Sequence, residues 1–92
     1  MGKDNNYLLS CETVHKIRGR IRVKSRALKY LGAMKDEVEK QFREVKYIKS
    51  VKITPVTGTV LIYFDDVNVT EENLISLIQN TLNIYLVEIL KI

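Results

Sequence analysis

Within residues 15–24, HKIRGRIRVK, four cations recur at every second position: Arg18, Arg20, Arg22 and Lys24. A strand sends alternate side chains to opposite faces, so such a row presents positive charge from one side of a sheet. Neighbours two apart sit roughly 7 Å from one another and repel unless an anion or carboxylates intervene. Guanidinium groups are planar forks that engage phosphate or carboxylate bidentately. The chemistry expected of the row is therefore recognition of an anion. The competing reading is a solvated face kept charged for solubility.

Metal ligation has fewer resources. The chain holds one cysteine, Cys11, and one histidine, His15. On an extended strand four residues span about 13 Å, whereas bonds to a metal are about 2.0–2.3 Å, so the two cannot share an ion. His15 is the single candidate ligand, set against a place at the margin of the core, and weak metal association is the most this donor set supports. One His, one Cys and no paired-carboxylate motif leave no nucleophile–base arrangement. No P-loop and no dinucleotide fingerprint occur. A non-enzymatic protein without a resident cofactor is expected.

Ninety-two residues suit one domain with one modest core. The formal charge of +4 and a pI near 9.3 favour anionic partners: nucleic acid, phosphate, an anionic lipid face or acidic protein. A single cysteine excludes an internal disulfide and fits a reducing interior. No apolar run approaches the ~20 residues of a membrane span. The opening has too short an apolar piece for a signal peptide, and Asn6 stands where a myristoylation pattern needs Ser or Thr. The expectation is a cytoplasmic protein, peripheral to a membrane or organelle through a partner.

The elements that would position the row follow from periodicity. Residues 1–11 read as a flexible arm and 12–92 as the folded domain. Clean alternation from Glu12 to Lys24 predicts a first strand. Leu28, Leu31, Met34, Val38, Phe42 and Val45 make one helical stripe over residues 27–46. Residues 48–54 and 59–65 read as strands joined by the turn Thr54-Pro55-Val56-Thr57-Gly58. Thr70 is the expected N-cap of a second helix whose stripe is Leu74, Leu77, Ile78 and Leu82, and residues 85–92 read as a last strand. The order β-α-β-β-α-β is the ferredoxin-like plan, an α+β fold. Its four-stranded antiparallel sheet has the first and third strands in the middle and both helices on one face. If Ile17, Ile21 and Val23 lie under the helices, then Arg18, Arg20, Arg22 and Lys24 share the open face with Lys52, Leu61 and Tyr63. Glu88 would join them from the last strand.

The segments HKIRGRIRVKSRALK and VKITPVTGTVLIYFD resemble the heavy-metal-associated (HMA-like) domains, in the branch that lacks cysteines. That branch is similar to H-x-x-x-G-R-x-R-x-(R/K) on the first strand and V-x-V-x-P-x-T-G-(S/T)-V-L-(I/V)-x-(Y/F)-D on the hairpin. Here these fall on His15, Gly19, Arg20, Arg22 and Lys24, then on Val51, Ile53, Pro55, Thr57, Gly58, Val60, Leu61 and Asp65. Arg18 stands where Pro often precedes the glycine. The resemblance implies metal handling, with iron as the metal, by an accessory or targeting module. It resembles the N-terminal domains of heavy-metal P-type ATPases and the proteins of ferrosomes, bacterial iron-storage organelles. An implied partner is such an ATPase or another membrane-associated metal-handling protein. Ordinary members carry Cys-x-x-Cys after the first strand, whereas this loop reads Lys24-Ser25-Arg26-Ala27-Leu28, so thiolate exchange of Cu(I) is not expected. Two other readings stand beside this one. An RNA-binding RRM-type module would use the same sheet face, but the first-strand aromatic is replaced by arginine. A homodimeric scaffold would pair sheets or edges.

Overall fold

The computed structural model describes residues 10–67 and 69–90, with side chains as far as Val87. The chain runs β1 (Cys11–Ile17), β2 (Arg20–Ser25), two 3-10 turns (Arg26–Tyr30 and Gly32–Met34), α1 (Lys35–Arg43), β3 (Ile48–Thr54), β4 (Thr59–Phe64) and α2 (Glu71–Leu90). The strands form one antiparallel sheet in the order β1-β2-β4-β3. Ile21 and Val23 of β2, Val51 and Ile53 of β3, and Val60, Ile62 and Phe64 of β4 are buried. They meet Leu28, Leu31, Val38, Phe42, Leu74, Ile78 and Leu82 in one core. The expected architecture, a ferredoxin-like four-stranded antiparallel sheet with two helices on one face, is what the chain adopts.

The assignment of sequence to that architecture differs from expectation in three places. First, residues 12–24 are a hairpin. Ile17 pairs with Arg20 across a turn at Arg18-Gly19, and Gly19 takes φ +75°, a conformation glycine reaches without steric cost. Its carbonyl accepts the Phe64 N–H at 3.0 Å, which seats the turn against β4. Second, the helix expected over residues 27–46 is replaced up to Met34 by two 3-10 turns that part at Leu31, so that only Lys35–Arg43 is α-helical. Leu28, Leu31, Val38 and Phe42 are buried nonetheless. Third, residues 85–90 continue α2 and form no strand. Tyr85 and Leu86 are buried three and four positions after Leu82, as a helical stripe requires.

The order is therefore β-β-α-β-β-α, not β-α-β-β-α-β. β2 and β4 hold the centre, as expected of the strands bearing those residues. β1 takes the edge beside β2, the place expected for the C-terminal strand. Cys11, placed with the arm, opens β1, and residues 1–9 lie outside the described residues.

Each sheet edge is held by a carboxylate. On β3, the Ile53 N–H donates to the buried Glu39 of α1 at 2.7 Å. On β1, Thr13 Oγ1 and Lys16 Nζ donate to Glu71, the first residue of α2, at 2.6 and 2.7 Å. No residue of β1 is buried, so these contacts and the ladder to β2 hold the strand in place.

Candidate anion-binding face

Strand pairing places residues on the helix-free face in three rows. The first is Ile17, Arg20, Tyr63 and Ser50; the second His15, Arg22, Leu61 and Lys52; the third Glu12, Lys24, Thr59 and Thr54. Adjacent strands lie about 4.8 Å apart, so Arg22 and Lys52 flank Leu61 at roughly twice that spacing. Arg20, Arg22, Lys24, Lys52 and Tyr63, all expected on this face, are brought together there. Their placement follows from the burial of Ile21, Val23, Val51, Ile53, Ile62 and Phe64 at the alternate positions.

Arg18 is not among them. It occupies the hairpin turn, where its Nε donates to Asp66 at 2.9 Å. Ile17, expected beneath the helices, is instead half-exposed on the open face. His15 follows it, exposed and not at a core margin. The reason is geometric. A two-residue turn sends Ile17 and Arg20 to the same face, where an unbroken strand would send them to opposite faces. A bulge between Thr13 and His15 then restores the original parity, so Glu12 does face outward.

Arg20 is held on both sides. Its Nη2 lies 3.3 Å from His15 Nε2 and donates to it in the tautomer that leaves that nitrogen bare. Its guanidinium carbon stands 5.9 Å from the centroid of the Tyr63 ring, within cation–π range. Its Nε is buried with no hydrogen-bond partner among the described residues. Arg22, Lys24 and Lys52 make no ion pair among the described residues, whereas Lys16, Arg18, Lys35 and Arg43 each have a carboxylate. The cations with partners lie off the open face.

At one end the face is concave. A cavity of about 570 Å³ is lined by Arg22 and Lys24, by the hydroxyl-bearing Thr54, Thr57 and Thr59, and by Glu12 and Val14. Thr57 Oγ1 and Thr59 Oγ1 are 2.8 Å apart, and Thr57 Oγ1 also donates to the Thr54 carbonyl at 3.2 Å. Cations beside hydroxyl donors suit a phosphate-like ligand. The threonines were read only as strand and turn residues. Their outward parity with Lys24 was the signal that could have found them.

A thiolate metal centre does not fit these residues. Cys11 faces inward opposite Ser25, and burial pushes its thiol up against the lowering effect of a hydrogen bond with Ser25. His15, the candidate ligand, lies on the other side of the sheet. Among the described residues no three His, Cys, Asp or Glu side chains gather at one point. Nor is any helix of the described residues long and apolar enough to cross a membrane.

Comparison with known proteins gives one match. The family described as heavy metal associated domain 2 matches residues 5–88. No curated protein and no solved structure matches. A match over most of the chain, carried by a four-stranded antiparallel sheet with two helices over one face, means that this chain belongs to the heavy metal associated domain 2 family.

Proposed function

We propose that this member of a metal-handling family is a non-enzymatic accessory or targeting module that engages an anionic surface or partner through its open sheet face. One observation carries the reading. None of the cations of that face has a carboxylate partner among the described residues, and the four cations that do, Lys16, Arg18, Lys35 and Arg43, all lie off it. A row built only for solubility has no reason to segregate in this way, because repulsion between neighbouring cations destabilises the sheet unless an anion relieves it. The arginine-rich first motif supports iron as the metal handled. It also supports a heavy-metal P-type ATPase, or another membrane-associated metal-handling protein, as the partner presenting the anionic surface.

The test compares two variants of equal charge. One carries Arg20→Gln, Arg22→Gln and Lys52→Gln on the open face. The other carries Arg18→Gln, Lys40→Gln and Lys46→Gln, all exposed and away from it. On a sulfated or phosphorylated anionic matrix, the first should elute at clearly lower salt than the parent. The second should stay close to the parent, since screening acts on a localised patch more steeply than on net charge. Equal losses would mean that only total charge matters, and the open face would then be ordinary solvated surface.

A further inference from the structure

A second cavity, about 280 Å³, lies where β2 ends and the first 3-10 turn begins, lined by Ser10, Glu12, Lys24, Ser25, Arg26 and Lys29. Among the described residues its lining holds three cations and one carboxylate. Glu12 stands directly opposite Lys24 on the β1–β2 ladder and offsets it. Arg26 and Lys29 are the further cations of the lining, and neither belongs to the open-face rows.

The loop that carries them is built against the β3–β4 turn. The Ser25 N–H donates to the Gly58 carbonyl at 2.9 Å. Gly58 takes φ +70°, and a Cβ there would stand 3.1 Å from Lys29 Cγ and 3.2 Å from Lys29 Cε. The stem of Lys29 thus lies along the glycine backbone, where a side chain would displace it. A lysine stem laid down in this way keeps its ammonium at the polar rim. Ser10 adds a hydroxyl-bearing side chain to the same lining, whereas the Ser25 hydroxyl is engaged with Cys11. The volume lies just below that of small-ligand sites, which run roughly 300–1,000 Å³. Several cations around a small space suit a compact ion bearing several acceptor oxygens.

We propose that this cavity binds a tetrahedral oxyanion, phosphate or the phosphoryl group of a small monoester, at a site distinct from the open face except for Lys24 and Glu12. The test is a titration of the full chain with inorganic phosphate and, separately, with glycerol phosphate, followed by amide NMR shifts at low ionic strength. Saturable shifts at Ser25, Arg26, Lys29 and Gly58 in the millimolar range or below are expected. In Arg26→Gln with Lys29→Gln, binding should weaken by about tenfold or more, since two charge-assisted contacts are lost. Lys29→Arg, which keeps the charge, should restore most of that loss in the Arg26 parent. Arg20→Gln with Arg22→Gln should leave these shifts within about twofold of the parent, which separates this site from the open face. Tighter binding of the ester would assign the site to a phosphorylated small molecule, and tighter binding of phosphate to the free ion. The proposal is overturned if neither ligand gives saturable shifts at these amides. It is equally overturned if the open-face variant abolishes them while the Arg26 and Lys29 variant does not.

Discussion

Glu39 offers the sharpest test of how this sheet is held. Its side chain is about nine-tenths buried at the middle of α1, yet it is a carboxylate. It accepts the Ile53 N–H at 2.7 Å, with Lys35 Nζ at 3.4 Å and Arg43 Nη1 at 3.9 Å. β3 is an edge strand, so this amide has no neighbouring strand to bond. Glu39→Ala leaves a buried donor unsatisfied, which costs about 1–3 kcal/mol. It also strips about two methylene-sized groups from the α1–β3 contact, worth roughly another 1 kcal/mol after partial relaxation. The expected total is about 2–4 kcal/mol from a domain whose whole stability is of order 5–15. Glu39→Gln keeps a carbonyl oxygen for Ile53 and loses only the two cation contacts. Lys35 and Arg43 are well exposed, so that loss is about 1 kcal/mol or less. At about 4–8 °C per kcal/mol for a domain of this size, Ala should lower the thermal midpoint by about 8–32 °C and Gln by less than about 8 °C. Calorimetry gives the midpoints, and hydrogen exchange reads the Ile53 amide directly. If the two variants melt together, or if the Ile53 amide stays protected in Glu39→Ala, the carboxylate is not what satisfies the edge.

Two further outcomes follow from named contacts. Hydrogen bonds from Lys16 and Thr13 hold the Glu71 carboxyl below the ordinary glutamate value, so its contribution is present above that value and lost as pH falls through the depressed one. A carboxyl-carbon NMR titration should show the shift, and Lys16→Met should return most of it while speeding amide exchange in β1; an unchanged Glu71 titration would mean that Lys16 does not tether the strand. Ile78 is fully buried in α2, and Ile78→Asp should leave the chain unfolded at room temperature, because a buried unpaired carboxylate costs several kcal/mol. Circular dichroism showing a native melt would refute that packing.

The basic face was legible because Arg20, Arg22 and Lys24 alternate with Ile21 and Val23 on one uninterrupted strand, and three alternations fix a face. The residues just before them were not. Alternation continues in the letters through Arg18 and Gly19, although the chain reverses there. Gly19 was the available signal, since a glycine inside a strand pattern marks a bulge, a bend or a close backbone approach. In this hairpin faces were misread from His15 to Arg18, between the turn and the bulge that cancels its effect. The C-terminal segment failed for another reason. YLVEIL is rich in β-formers and short, so its own pattern cannot separate a strand from a buried helix. The deciding evidence lay upstream, in the register Leu74, Ile78, Leu82 and Tyr85, with no Gly or Pro to stop the helix. The carboxylate clasps of Glu39 and Glu71 join residues far apart in sequence, and no local periodicity encodes such contacts.

The exchange of one edge strand for another changes the electrostatics of the open face. A C-terminal strand beside β2 would have set Glu88 near the arginines and offered them a carboxylate. β1 sets His15 opposite Arg22 and within 3.3 Å of Arg20, and Ile17 opposite Arg20. Glu12 is the one carboxylate β1 contributes to the face, and it stands opposite Lys24 at the far end. Arg20 and Arg22 are thereby left with a neutral or cationic neighbour on one side and Tyr63 or Leu61 on the other. Their positive charge is undiminished within the sheet itself. The same strand is held by Thr13 and Lys16 on its inner side, through Glu71. Loosening that clasp should therefore weaken anion binding on the opposite side of the sheet without touching a single residue of the binding face. The hairpin and the first turn of α2 are thus as much a part of the basic face as its arginines.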